Sequence, residues 1–135
     1  MDSAASVVRG NGILPTPELG ATLFSAATVR RHGVQPVIDH IPPGNHCIVT
    51  LDCDGLDPAV IPAVLVPQPG GLGYLDIAEV LHGVTQRARI VGFDLVELVP
   101  DADVRGLGVL AASRILGVAL GCMARQRSAM RATDQ

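Results

Sequence analysis

The run Cys47 to Leu51 (CIVTL) is apolar and β-branched, and it breaks without transition into acids at Asp52, Asp54 and Asp57. A short apolar run ending so sharply reads as a strand buried on both faces and stopping at Leu51 or Asp52. The next segment narrows the fold further. Residues 55–72 hold four prolines and close on Gly70-Gly71, a stiff loop of a length that is usually functional inside a compact domain. A second apolar run, Arg89 to Val96 (RIVGFDLV), again ends in an acid, Glu97.

Between the two runs, Tyr74 to Ala88 places Leu75, Ala78, Val80, Leu81 and Val84 at helical spacing. After the second run, Val104 to Met123 reads as a closing helix, apolar nearly all round, with Gly106, Gly108, Gly117 and Gly121 lowering its propensity. The order strand, loop, helix, strand, loop, helix predicts an α/β unit with parallel strands. Upstream, Leu23-Phe24 reads as a short strand, Ala26 to Arg31 as a short helix stopped at Gly33, and Val34 to Ile41 as a further helical turn. Residues 1–20 read as a linker or loosely held arm, 21–125 as the folded portion and 126–135 as a flexible tail.

Composition limits the partners. The chain has 135 residues, a length expected for one domain, and 48% are hydrophobic, enough for a real core. Aromatics are only 2%, so Val, Leu, Ile and Ala must build that core. A net charge of -3 gives no basic footprint for nucleic acid. All ten basic residues are arginines; the cluster Arg125, Arg127 and Arg131 reads as a solvated helix end. Three cysteines, Cys47, Cys53 and Cys122, without a CxxC pair argue for buried thiols and a reducing, cytoplasmic setting. The amino terminus has no long apolar stretch, so neither a signal peptide nor a membrane contact is expected there.

In parallel α/β sheets ligands bind beyond the carboxyl ends of the strands. Both runs end in acids at that edge: Asp52, Asp54 and Asp57 from the first, Asp94 and Glu97 from the second. Like charges so close raise one another's pKa, and a bound cation removes the cost. Asp52 and Asp54 are two residues apart at a strand end, so strand periodicity lets both project to one face. Carboxylate oxygens are hard ligands suited to Mg, Mn or Ca. The bland alternative is a pair of turn or capping acids. His46 lies at the other end of its strand, and His32, His40 and His82 read as surface or capping histidines.

The stretch VTLDCDGLDPAVIPAVLVPQPGGL resembles the signature of the ureohydrolases, the arginase and agmatinase family. In that family a strand ends in S-x-D-x-D-x-x-D-P and runs into a loop ending P-x-P-G-G. Asp52, Asp54, Asp57, Pro58, Pro67, Pro69, Gly70 and Gly71 match. VGFDLVELVP resembles the family's second strand, with Asp94 and Glu97 in place, and the likeness covers roughly residues 21 to 125. It implies a three-layer α/β/α sandwich with a parallel sheet, here as the carboxy-terminal part only. It also implies hydrolysis of a guanidino compound to urea and an amine at a paired Mn centre. On the matching positions Asp52 and Asp54 would be metal ligands and Glu97 would accept hydrogen bonds from the guanidinium. Asp57 would hold the loop through an Asx-type turn, and Asp94 would be structural or lie behind the ligands.

The departures are specific. The family's remaining ligands come from a D-x-H-x-D cluster and a separate histidine on earlier strands, and neither pattern occurs in these 135 residues. The family's G-T-G-T-P is Ala63-Val64-Leu65-Val66-Pro67, its Asn after the glutamate strand is Val99, and its Thr-Ala in the last helix is Gly108-Val109. The chain by itself is therefore expected to be an incomplete, inactive hydrolase; the alternative is a truncated remnant that serves as a folded or assembling module. A half-sheet exposes an unpaired apolar edge, so self-association or a complementing chain is expected. A phosphorylated receiver domain, the other short acidic α/β class, needs a strand-end lysine, and this chain has no lysine.

Overall fold

The apolar runs do form the sheet. Strand β1 (His46–Asp52) and strand β2 (Arg89–Val96) pair in parallel in the computed structural model, which describes residues 21–133. The arm expected over residues 1–20 lies outside the described residues. Val49 sits opposite Phe93, Thr50 opposite Asp94 and Asp52 opposite Val96, so both carboxyl ends reach the same edge. Parallel neighbours require a crossover, and helix α3 (Tyr74–Arg87) supplies it.

Helix α1 (Ala26–His32) begins where the Ser25 hydroxyl accepts from the Thr28 amide at 3.1 Å, and it stops at Gly33, whose φ of 72° suits glycine. Helix α2 (Gln35–His40) follows at once. Leu23-Phe24 is not a strand. Among the described residues no strand is placed to pair with it; Phe24 instead packs against the α1–α2 cluster and meets the His40 ring edge-on at 5.7 Å.

Helix α4 runs Leu107–Thr133, shifted at both ends from the sequence reading. At its start the Asp103 carboxylate accepts from the Gly108 and Val109 amides at 2.8 and 2.9 Å, satisfying orphan N–H groups of the first turn. Arg105 and Gly106 just before it take positive φ, 55° and 74°, which keeps the helix from starting at Val104. Its far end continues through residues 126–133, which composition alone marks as a tail.

The main core joins Ile77, Leu81 and Val84 of α3, Ala112, Ile115, Ala119 and Cys122 of α4, and Ile90 of β2. The α4 residues recur every three or four positions, so one stripe of the helix is buried. Leu107, Leu110, Leu116 and Leu120 on its other sides are exposed. This helix is long and apolar enough to cross a membrane by length and composition, yet its buried stripe seats it on β2 and α3. Gln126 locks that seat: it accepts from the Ile90 amide at 3.0 Å and donates to the Ala88 and Thr85 carbonyls at 2.7 and 3.2 Å.

Helices α3 and α4 cover one face of the sheet. The other face is open, with Ile48 72% and Val91 49% exposed. The described residues thus form two of the three layers of an α/β/α sandwich. A second, smaller cluster (Val29, Val34, Val37 and Ile38) lies between α1 and α2 and touches α3, where Gly83 has no room for a side chain beside Ile38.

Candidate functional site

At the end of β1 the backbone does not stay extended. The Asp52 carboxylate accepts from the Asp54 amide at 3.0 Å and caps a single 3-10 turn, Cys53–Gly55. Strand alternation therefore does not govern Asp54: the turn draws it inward, to 3% exposure, while Asp52 stays half-buried. Among the described residues Asp54 is the one charged side chain in the buried set. Between them Cys53 is fully buried; burial pushes its thiol up to about 11, and the neighbouring Asp54 and Glu97 carboxylates add to the rise. That thiol stays protonated at neutral pH and is no nucleophile.

The loop after this turn folds back on its own beginning. The Asp57 amide donates to the Leu72 carbonyl, and the Leu72 amide to the Gly55 carbonyl, both at 3.0 Å. The Asp57 carboxylate spans the loop, accepting from Ala59 N at 2.9 Å and from Gly70 N, thirteen residues on, at 2.8 Å. These two amides, Ala59 first, hold its carboxyl below the usual carboxylate range, with Arg30 helping and burial opposing. The closing glycines are forced: Gly70 has φ of 85°, and a Cβ on Gly71 would overlap the Leu56 carbonyl. Arg30 of α1 donates to the Gly70 carbonyl at 3.0 Å and ties the loop to the first helix.

Glu97 follows β2 directly, one position past the level of Asp52, and is exposed. Its φ is 60°, a left-handed conformation that glutamate rarely adopts and that recurs at functional sites. Asp94 is exposed opposite Thr50, two residues and so about 7 Å back from the tip of β1. The fold thus gathers Asp52, Asp54 and Glu97 at one edge, gives Asp57 to the loop and leaves Asp94 on the open sheet face. His46 is at the far end of β1, and His82 is 3.5 Å from the Cys122 sulfur between α3 and α4.

Hard divalent cations take about six or more oxygen ligands. Among the described residues no three His, Cys, Asp or Glu side chains gather as a cation site. Asp52 and Asp54 are suitable donors in kind and too few in number, so the described residues alone do not fit a complete metal centre.

Of two further positions that hold these elements in place, one is legible in the sequence and one is not. Asp103 ahead of an apolar helix is a readable N-cap signal. Arg30, forty residues from its partner Gly70, carries none. Two of the departures from the family pattern lie against each other. Ala63, where the family has glycine, is fully buried, and a Cβ on Gly108 would come within 2.7 Å of the Ala63 Cβ. Ala63 of the loop and Gly108 of the helix therefore share one tight contact.

The profile of the Arginase family matches residues 13–121. The chain belongs to the arginase family. Among similar family proteins, the N(1)-aminopropylagmatine ureohydrolase of Thermus thermophilus is 37% identical over 86 residues, covering 62% of this chain and 29% of that relative. A solved structure of a hypothetical agmatinase from Burkholderia thailandensis superposes with TM-score 0.78 at 31% identity, covering 96% of this chain and 41% of the other. Proclavaminate amidino hydrolase from Streptomyces clavuligerus gives 0.79 at 30%, covering 89% and 42%. The chain spans less than half the length of these arginase-family relatives.

Proposed function

We propose that this chain supplies the acidic edge of a metal-dependent ureohydrolase site that cleaves a guanidino compound to urea and an amine. The observation that carries the proposal is the convergence of Asp52, Asp54 and Glu97 beyond the carboxyl ends of two parallel strands, with a loop closed by Asp57 beside them. In this reading Asp52 and Asp54 are two carboxylate ligands of a manganese centre, and the remaining donors come from outside the described residues. Bound manganese would activate water for attack on the guanidino carbon. Glu97 accepts from the guanidinium, whose planar N–H pairs match a carboxylate. Its left-handed backbone turns it away from the alternation of β2. Asp57 keeps the loop rigid against the site, and Asp94 supports the strand from the open face. The setting proposed is cytoplasmic.

Supplied with manganese and either agmatine or arginine, the 135-residue chain by itself is expected to release no urea. Co-expressed with the amino-terminal part of the Burkholderia agmatinase, it is expected to gain activity that Glu97→Gln abolishes. Turnover by the chain by itself would show that two carboxylates suffice. A well-formed complex that stays inactive on guanidino compounds would favour the second reading, an assembling module without catalysis, to which the exposed apolar sheet face already lends support.

A further inference from the structure

Residues 62–67 (PAVLVP) hold no polar side chain. At one end of this segment the Ala63 carbonyl accepts from the amide of Val99, two residues past Glu97, at 2.8 Å. Two residues reach at most about 7 Å, so this end lies close to Glu97. At the other end Gly70 is held by Asp57, and Gln68, Pro69 and Gly70 line the same cavity as Asp52 and Asp54. The stretch between therefore runs from the tip of β2 to the tip of β1, along the acidic edge. Ala63 and Val64 are buried, whereas Leu65 and Val66 are 71% and 55% exposed. Single apolar groups on a surface are ordinary, but this pair stands where the acids converge. Pro62 and Pro67 bracket it and fix two backbone φ angles. Apolar side chains on so stiff a loop lose little freedom when a ligand covers them.

We infer that Leu65 and Val66 select the substrate's tail: the site takes a guanidino compound whose far end is an uncharged alkyl chain, in preference to one ending in an ammonium or a carboxylate. The inference rests on the proposed contact between Glu97 and the guanidinium, and adds what the rest of the substrate is. The guanidinium end suits Glu97, whose side chain is exposed. At the loop an alkyl chain covers Leu65 and Val66, and each methylene buried there is worth about fourfold in affinity. A charged tail laid on the same surface loses hydration and gains no side-chain partner from residues 62–67. This is also the stretch where Ala63-Val64-Leu65-Val66 stands for the family's Gly-Thr-Gly-Thr, so it carries no hydroxyl to meet a polar tail.

The test is methyl NMR on the full chain, titrated in turn with hexylguanidine, agmatine, arginine and guanidinobutyrate. Hexylguanidine is expected to shift the Leu65 and Val66 methyls and to saturate at a concentration about tenfold or more below the other three. Leu120, exposed on α4, should not move, which controls for general stickiness. Leu65→Ser with Val66→Thr should bring the four ligands to within about threefold of one another. Both side chains are exposed, and the remaining methyl signals report whether that variant keeps its fold. Glu97→Gln should weaken all four. The inference is overturned by the absence of a shift at Leu65 and Val66, by equal saturation with the four ligands, or by tighter binding of guanidinobutyrate. An equal shift at Leu120, or a hexyl preference that survives the loop variant, overturns it too. The two readings fail differently. If all four ligands depend on Glu97 and bind alike, the tail assignment alone falls. If the hexyl preference holds but ignores Glu97→Gln, the guanidinium contact falls, and the tail assignment with it.

Discussion

The carboxyl end and the free edge of β1 are built on opposite plans. At its carboxyl end the loop 53–72 is closed by its own hydrogen bonds: Asp52 caps the turn, Asp57 bridges to Gly70, and Leu72 pairs back to Gly55 and Asp57. Along its other edge no strand pairs among the described residues, and a largely apolar cavity lies between the strand and α1 and α2. The acidic edge is determined locally and keeps its geometry in a chain of this length. The edge of the sheet depends on pairing between residues far apart in sequence. The loop beside the acids is therefore closed by contacts within residues that span less than half the length of their arginase-family relatives.

The sharpest way to break the contrast is Gly71→Ala. Its Cβ would meet Leu56 backbone, which cannot swing aside, so the closed region should lose about 3 kcal/mol. A urea-denaturation midpoint reads this; a change within error would mean that the loop is not closed as described. Next is Gln126→Leu, expected to cost about 2 kcal/mol because the Ile90 amide and two carbonyls lose a partly buried partner. That loss falls at the start of β2, away from the acids, so it should loosen the sheet and leave exchange at Gly70 and Leu72 unchanged. Gly108→Ala should cost about 1.5 kcal/mol through overpacking against Ala63 and the Asp103 carboxylate, and Ala63→Gly in the same chain should restore part of it. Additive losses in the double variant would show that the two positions are independent.

The smallest effect is a pH dependence. Asp57 and Asp103 both have carboxyls held below their ordinary value of 3.8 by backbone amides, Ala59 first for Asp57 and Val109 first for Asp103. Depressed carboxyls favour the folded state above the unfolded value, and the contribution disappears as pH falls through the folded one. Stability should thus decline with acid below about pH 4, and Asp57→Asn should flatten part of that decline. An unchanged acid limb in Asp57→Asn would mean that the loop bridge contributes nothing to stability.

The same division separates what is legible in the sequence from what is not. β1, β2 and α3 are readable because apolar runs and helical spacing are local signals, and their order implies the parallel pairing. The acids at the strand ends are readable as a group. Their individual placement is not. Asp54 leaves the strand pattern because the carboxylate of Asp52 caps a turn, and Glu97 takes a positive φ that no residue type announces. The start of α4 departs from the sequence pattern because the Asp103 cap and the Arg105-Gly106 backbone override an apolar run that begins at Val104. Leu23-Phe24 has strand-like composition without a neighbouring strand among the described residues, and composition alone cannot supply one.

The central claim is that Asp52 and Asp54 are half of a metal centre. Manganese titration followed by the electron paramagnetic resonance of the free ion tests it directly. The chain by itself is expected to bind at about 10⁻⁴ to 10⁻³ M, as a site short of ligands should. Asp52→Asn with Asp54→Asn should abolish that binding, and the complex with the agmatinase amino-terminal part should tighten it at least a hundredfold. Tight micromolar binding by the chain by itself, or binding that survives loss of both carboxylates, would contradict the claim.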